Sequence, residues 1–355
     1  MTSSAPRLSR RSLLAGSAAT ATAFTLMSDR ADARPLIGST LARGLAVPWG
    51  LAFLPNGDAL VTERESGRVH RVRRTGGRHQ VGDVAGVQDH GEGGLMGVAL
   101  SPTFRSDRHV FFYLTGSSDN RVIRMTYRTT GTLGDRRTIL AGIPRSTNHD
   151  GGQLLFGPSG KLYVSTGDAL DRSQAQNRNA LNGKILRIDP DGSTPSDNPF
   201  GNRVWTLGHR NVQGLAIDSR HRLWATELGE NDRDELNRIV KGHDYGWPTV
   251  EGGDGPGGFH DPYVTWSPTD TCSPSGLAIA RGAAWVGALH GACLWRVDIS
   301  GTGARTKTRY FHDTLGRIRA VAAAPDGSLW VTTSNRDGRG RPRTGDDKVV
   351  RIRFT

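Results

Sequence analysis

The stretch Gly50-Leu-Ala-Phe53, Pro55-Asn56-Gly57, Ala59-Leu-Val-Thr62, Val69-His-Arg-Val72 decides the fold. Short apolar runs are separated by a proline–glycine turn and a second break, and none has helical spacing over a useful length. The same order recurs from Gly97, Gly152, Gly214 and Gly276, and from Ala320 without the glycine. Pro158-Ser159-Gly160 and Pro325-Asp326-Gly327 repeat the first turn, with Pro and Gly where a type I turn prefers them. The third runs read Arg71-Val72, Arg124-Met125, Arg187-Ile188, Arg238-Ile239, Arg296-Val297 and Arg351-Ile352. A lone small sheet cannot bury both of its faces, so six such units predict an all-β chain, a six-bladed β-propeller forming one domain. The last run, Lys348 to Phe354, needs a neighbour, and the segment Leu36 to Leu45 is expected to close the ring beside it.

The 355 residues are 23% charged, with 47 Gly and 2 Cys, which excludes collagen, a coiled coil, a multi-span membrane protein and a disulfide-built scaffold. The net charge of +12 is almost all Arg, since Lys supplies 5 of 46 basic residues. Such a balance first suggests nucleic acid or an anionic surface. Part of it belongs to an address: Ser9-Arg10-Arg11-Ser12-Leu13-Leu14 places a twin arginine before an apolar run reaching Met27, and Ala31-Asp32-Ala33 follows as a cleavage pattern. Residues 1–33 are therefore expected to be a twin-arginine signal peptide and 34–355 the exported domain, secreted or periplasmic, without a membrane span. The segment carries four Arg and two Asp, so the remainder has a net charge of +10. Outside the cytoplasm Cys272 and Cys293, which flank one predicted hairpin, favour a disulfide, the alternative being two buried thiols.

Repetition separates scaffold from function. Arginines present in every unit are read as structural or solvated; what matters is where the units differ. In a propeller the loop leading into strand one and the loop leaving strand two converge on the upper mouth of the central channel. Those loops are polar and different in each unit: His90 to Gly94, Asn148 to Gly152, Gly208 to Gly214 and Gly316 to Arg319 on one side, and Glu63-Arg64, Gly167-Asp168, Glu227 to Glu230, Leu289-His290 and Ser334-Asn335 on the other. His149, between Asn148 and Asp150, reads as a proton acceptor tuned by a neighbouring carboxylate, or else as a hydrogen-bonded loop histidine. Arg210 and Asn211 precede an inner strand, which aims the guanidinium at the channel; a salt bridge between blades is the other reading. Arg317 and Arg319 share one face at strand spacing, and with Arg210 they suggest an anionic ligand bearing several carboxylates or phosphates. Glu227 to Glu235 holds five acidic residues in nine, oxygen-rich enough for calcium but without EF-hand spacing. There is no zinc spacing, phosphate loop, dinucleotide fingerprint or serine elbow.

These segments resemble the soluble pyrroloquinoline quinone (PQQ)-dependent glucose/aldose sugar dehydrogenase family over nearly the whole exported domain. The pieces that carry the resemblance are Glu92-Gly-Gly-Leu-Met-Gly97, Asn148-His-Asp-Gly-Gly152, Gly208-His-Arg-Asn-Val-Gln-Gly-Leu215, Asp234 to Gly242 with Tyr245-Gly-Trp-Pro248, and Arg317-Ile-Arg319. It implies a six-bladed propeller oxidising aldoses to lactones, with His149 as general base and Arg210 beside the quinone oxygen. Glu92, Asn148, Asn211, Thr271, His290, Arg317 and Arg319 are implied as further quinone contacts. Glu92 stands where some members have Gln, and His290 where Lys is expected. Gly229 and Glu230 are implied as carbonyl ligands of the calcium on the quinone, and Glu235 and Tyr245 as belonging to a second, structural calcium site. The implied partners are an aldose and an external electron acceptor, with no nucleic acid, the protein acting as monomer or homodimer. Two other readings stay open: a calcium-dependent lactonase using a side-chain-ligated metal, and a non-catalytic propeller that binds carbohydrate or protein.

Overall fold

The computed structural model describes residues 34–355, apart from 254, 256 and 300–304, together with Met1 and Thr2. The twin arginine and the apolar run after it lie outside the described residues. Each of the six repeats forms a four-stranded antiparallel sheet. The innermost strands of blades one to six are Pro48–Phe53, Leu95–Leu100, Leu154–Phe156, Val212–Ile217, Pro274–Ala280 and Ile318–Ala323. Each touches the next around the channel, and the sixth touches the first. The ring closes as the sequence predicts, because Pro35–Ala42 pairs antiparallel with Val349–Phe354 as the outer strand of blade six. One blade thus takes strands from opposite ends of the described 34–355 segment.

The repeated inner-strand glycine exists because neighbouring blades meet backbone to backbone. A Cβ at Gly97 would stand 2.2 Å from the Gly152 carbonyl oxygen, and one at Gly276 would stand 2.5 Å from that of Arg319. The second strands carry a recurring hydroxyl for the same junction. Thr62, Ser165 and Thr226 each donate to a carbonyl of the next blade's inner region, at Met96, Val212 and Ser275. Thr332 donates to Pro48 at 3.3 Å and so joins blade six to blade one. Around these polar staples the blade faces bury apolar side chains, among them Trp224, Trp285 and Trp330. Each fully buried leucine- or valine-sized side chain contributes about 1.5–3 kcal/mol. The recurring arginines are scaffold where their partners are seen: Arg71 pairs with Asp58, Arg187 lies over Trp205, and Arg351 lies over Trp330.

One expectation is corrected. Cys272 and Cys293 are free thiols, both buried in one apolar cluster of blades four and five. They fill space there as small hydrophobic side chains, and burial pushes the Cys293 thiol up to about 12. No helix among the described residues is long and apolar enough to cross a membrane. The lower half of the channel is a cavity of about 390 Å³ lined by inner-strand residues such as Phe53, Val98, Leu154, Ile217 and Ile279.

Candidate active site

His149 sits at φ 62°, the left-handed region that costs a non-glycine residue about 1–2 kcal/mol. Gly167 is what brings its partner close, since a Cβ there would lie 1.9 Å from the His149 carbonyl oxygen. The next residue, Asp168, then meets the imidazole: His149 Nδ1 lies 2.7 Å from Asp168 Oδ1. Asp168 is itself held from two sides, Oδ1 accepting from the Leu170 N–H at 2.9 Å and Oδ2 from the Trp247 indole at 2.8 Å. Burial would push this carboxyl up; the His149 contact, the indole and the amide outweigh burial and hold it below the usual value. A carboxylate at Nδ1 keeps the proton there and leaves Nε2 as the basic nitrogen.

The orienting carboxylate is therefore Asp168 and not the sequence neighbour Asp150. Asp150 turns away, its Oδ1 accepting from Asn120 Nδ2 at 2.7 Å and from the Ser146 N–H at 3.2 Å. Its Oδ2 is buried without a partner, and burial pushes this carboxyl up to about 6. Asp168 lies in the loop leaving strand two of the same blade, and that placement was the signal available in the sequence.

Arg210 is joined to the same unit through its backbone carbonyl, which accepts the Asp168 N–H at 2.8 Å. Its guanidinium stacks near the Trp247 ring, 5.5 Å from the centroid, and donates to the Leu228 carbonyl at 3.2 Å. Asn211 accepts the Gly151 N–H at 3.1 Å and faces Glu92. Glu92 also accepts the His149 N–H at 3.2 Å and forms an ion pair with Arg339 at 2.7 Å. Burial pushes Glu92 up, but Arg339 prevails and holds it below its usual value. Arg339 reaches across from blade six and also donates to Asn148 Oδ1 at 3.3 Å. It was not read from the sequence, because it lies in a long loop that no repeat defines.

Arg319 is buried in the channel, donating to Gln213 Oε1 at 2.7 Å and to Ser275 Oγ at 3.3 Å. Arg317 is neutralised by Asp337, donating through Nε at 3.0 Å and Nη2 at 2.9 Å. Burial pushes Arg319 down to about 9, still cationic at neutral pH, with Asp337 opposing and Arg64 and Arg317 adding to the shift. The cationic pocket expected from Arg210, Arg317 and Arg319 is thus partly compensated, and it gains Arg64. Among the described residues five guanidinium Nε atoms are buried without a partner, those of the scaffold residues Arg187 and Arg351 and, at the mouth, those of Arg64, Arg210 and Arg319. Buried donors left unsatisfied are costly, and donors of this kind suit a polyanionic ligand. Thr271 and His290 lie on blade five; Thr271 donates only to the Pro268 carbonyl, and neither is hydrogen-bonded to the other site residues among the described contacts.

The acidic loop has an inner logic of its own. Glu251 Oε1 accepts four successive N–H groups, from Glu230, Asn231, Asp232 and Arg233, at 2.8 to 3.1 Å. In a trans peptide the C=O points opposite to the N–H that follows it. The Gly229 and Glu230 carbonyls must therefore point away from Glu251, as ligands of an external cation would. Gly229 is required at this turn, because a Cβ would stand 2.1 Å from the Arg233 carbonyl oxygen. Behind it, a void of about 10 Å³ is lined by Glu227, Glu235, Tyr245 and Glu251 among others. Burial and neighbouring Glu227 push the Glu235 carboxyl well up, as expected where two carboxylates are placed together out of water. The Tyr245 hydroxyl donates to the Arg238 carbonyl and accepts the Val240 N–H, so only its carbonyl is left for a metal. Among the described residues no three His, Cys, Asp or Glu side chains are grouped as a metal cage.

Residues 45–342 match the family model for glucose / sorbosone dehydrogenases. The chain belongs to this family. Among curated relatives it is 30% identical to aldose sugar dehydrogenase YliI of Escherichia coli, over 82% of this chain and 88% of the relative. It is 35% identical to quinoprotein glucose dehydrogenase B of Acinetobacter calcoaceticus, over 62% of this chain and 53% of that protein. Among solved structures it is similar to the PQQ-bound form of aldose sugar dehydrogenase from Streptomyces coelicolor, with 46% identity, a TM-score of 0.88, and coverage of 91% of this chain and 99% of that one. This glucose/sorbosone dehydrogenase family member is an oxidoreductase, and the family resemblance read from the sequence holds.

Proposed function

We propose that this enzyme oxidises aldose sugars at the anomeric carbon to lactones, using PQQ and calcium, after export by the twin-arginine route. The observation that carries the reading is the His149–Asp168 pair beside Arg210, in a mouth holding three unpartnered buried guanidinium nitrogens. PQQ, which bears three carboxylates, would be held by Arg210, Asn211, Arg317, Arg319 and Arg64, with Glu92 and Asn148 on the opposite rim and Thr271 and His290 at its edge. Calcium would take the Gly229 and Glu230 carbonyls, and a second calcium would sit at Glu235 and the Tyr245 carbonyl. When bound, PQQ supplies the two-electron acceptor and calcium the Lewis acidity that sharpens it.

The chain's own residues do the rest. His149 Nε2 takes the proton of the anomeric hydroxyl, and Asp168 stabilises the imidazolium that results. Trp247 keeps Asp168 in place and so fixes the plane of the imidazole. Arg210 offers a preorganised cation against negative charge developing on the acceptor side of the reaction. Glu92, through its bond to the His149 N–H, holds the strained backbone that presents the base.

The test is reconstitution of the apo-protein with PQQ and calcium, followed by aldose-dependent reduction of an artificial acceptor. Turnover with at least one aldose is expected, and His149→Ala should abolish it while PQQ binding persists. PQQ binding without turnover on any of a broad sugar panel would overturn the reading.

A further inference from the structure

Blade six carries a feature that sugar oxidation does not use. The loop Ser334 to Asp347 contains Arg336, Arg339, Arg341 and Arg343, all exposed, at the rim of the mouth. Its acidic residues are spent elsewhere. Asp337 is held by Arg317, Asp346 by Lys348, and Asp347 accepts from Thr333 and the Asn335 N–H. Beneath the loop, Asp313 pairs with His312 and gives its carbonyl to Arg343. Arg339 is engaged with Glu92, but among the described residues the Arg336 and Arg341 guanidiniums form no ion pair. Nor is this a loose charged run. The Arg336 N–H is tied to Asp347, the Arg339 N–H to Asp337 and the Arg343 N–H to Asp346. Gly340 lies so close beneath that a Cβ would stand 2.5 Å from the Asn335 carbonyl oxygen. Arg336 and Arg341 are thus exposed on a fixed frame, while Arg339 and Arg343 are turned to Glu92 and to the Thr314 and Asp313 carbonyls.

The opposite sign lies on blade four, where Glu230 and Asp232 are exposed in the proposed calcium loop. Both are ion-paired there, Glu230 with Arg172 and Asp232 with Arg233, so the charge left without an ion pair is that of Arg336 and Arg341 on blade six. Arg339 shows how near the positive side comes to the chemistry, since its guanidinium touches Asn148 and Glu92, both adjoining His149.

We propose that this arginine rim is the docking surface for the acidic face of a one-electron carrier protein, the acceptor that the oxidation requires. The proposal rests on the dehydrogenase reading above. Oxidising one aldose to its lactone releases two electrons and two protons; two carrier molecules are each reduced by one electron in turn, and both protons pass to solvent. The rim extends along a whole loop, a width suited to a protein face. A fixed cluster of like charges beside a redox site raises the encounter rate with an opposite charge by about 10- to 1,000-fold, and this advantage fades with salt.

The experiment uses PQQ- and calcium-reconstituted enzyme with saturating aldose and four oxidants: plastocyanin as acidic carrier, cytochrome c as basic carrier, hexacyanoferrate(III) as small anion and 1,4-benzoquinone as neutral acceptor. Plastocyanin is expected to be reduced faster than cytochrome c, with a rate that falls as salt rises. Arg336→Glu with Arg341→Glu should lower the plastocyanin rate by about tenfold or more and raise that of cytochrome c. Benzoquinone turnover and PQQ binding should stay unchanged, which shows that the double variant is folded. Plastocyanin reduction indifferent to salt and to charge reversal overturns the docking surface. A response confined to hexacyanoferrate overturns it as a protein site. Absence of benzoquinone turnover in the unaltered holoenzyme overturns the dehydrogenase reading itself, and this proposal with it.

Discussion

Replacing Asp168 by Asn keeps the side chain's shape and removes its charge. All three of its neighbours present N–H groups: His149 Nδ1 and the Leu170 amide to Oδ1, and the Trp247 indole to Oδ2. An amide has one acceptor oxygen and one NH₂, so either orientation leaves a donor facing a donor. With the oxygen toward Trp247, His149 must accept through Nδ1, and its proton moves to Nε2, which ceases to be a base. With the oxygen toward His149, the buried indole loses its partner at a cost of about 1–3 kcal/mol. Either way the imidazolium formed during reaction loses its counter-charge. For charge centres about 4 Å apart and an effective dielectric of about 20, that attraction is about 4 kcal/mol, close to a thousandfold in rate. The first turnover, followed by stopped flow as saturating aldose reduces bound PQQ, should slow by about 100- to 1,000-fold in Asp168→Asn. PQQ affinity, measured separately by titration, should hold within about threefold, because Asp168 holds no part of the cofactor. A slowing of less than about tenfold, or one matched by an equal loss of PQQ affinity, would refute the reasoning.

Other consequences can be measured independently. Lys184 is fully buried and donates to the Gln174, Ala175 and Asn182 carbonyls; Lys184→Met should destabilise the fold by about 3 kcal/mol or more, read as a lower urea midpoint at unchanged slope. Asp150 has its carboxyl raised from 3.8 to about 6, so its burial is harmless below about pH 4 and costs stability as pH rises through 6. Asp150→Asn should therefore stabilise at pH 7, by at most about 3 kcal/mol, and show no gain at pH 4 in paired melts. Glu251→Gln removes the charge that gathers four loop N–H groups without replacing a proposed ligand; calcium affinity of the PQQ-loaded protein, followed by calorimetry, should weaken by about tenfold. An unchanged affinity would detach Glu251 from the calcium loop.

The propeller was legible because its determinants are local and repeated. Each inner-strand glycine marks a blade contact, and Leu36 to Leu45 was readable as the closing segment from the unpaired last strand alone. His149, Arg210, Asn211, Arg317 and Arg319 were legible as mouth residues because the repeat placed their loops there. The pairings of those residues were not. Asp168 sits 19 positions from His149, Trp247 another 79 from Asp168, and Arg339 is 247 positions from Glu92. The first pair lies within one blade, joining its entry loop to its exit loop, and the other two are made between blades; neither kind of pairing leaves a spacing signature in a linear pattern. Glu251 escaped for a related reason: a single carboxylate gathering four amides leaves no spacing signature. The cysteines show the opposite failure. Their separation suited a bridge, yet both positions face an apolar core where unpaired thiols satisfy packing.

The most direct test of the central claim is anaerobic and needs no electron acceptor. Apo-protein loaded with one equivalent of PQQ and excess calcium is mixed with aldose, and the PQQ spectrum and the sugar product are followed together. The account predicts one equivalent of PQQ reduced and one of lactone formed, with His149→Ala binding PQQ equally well and leaving it oxidised. Tight PQQ binding with a spectrum that no aldose changes would contradict it.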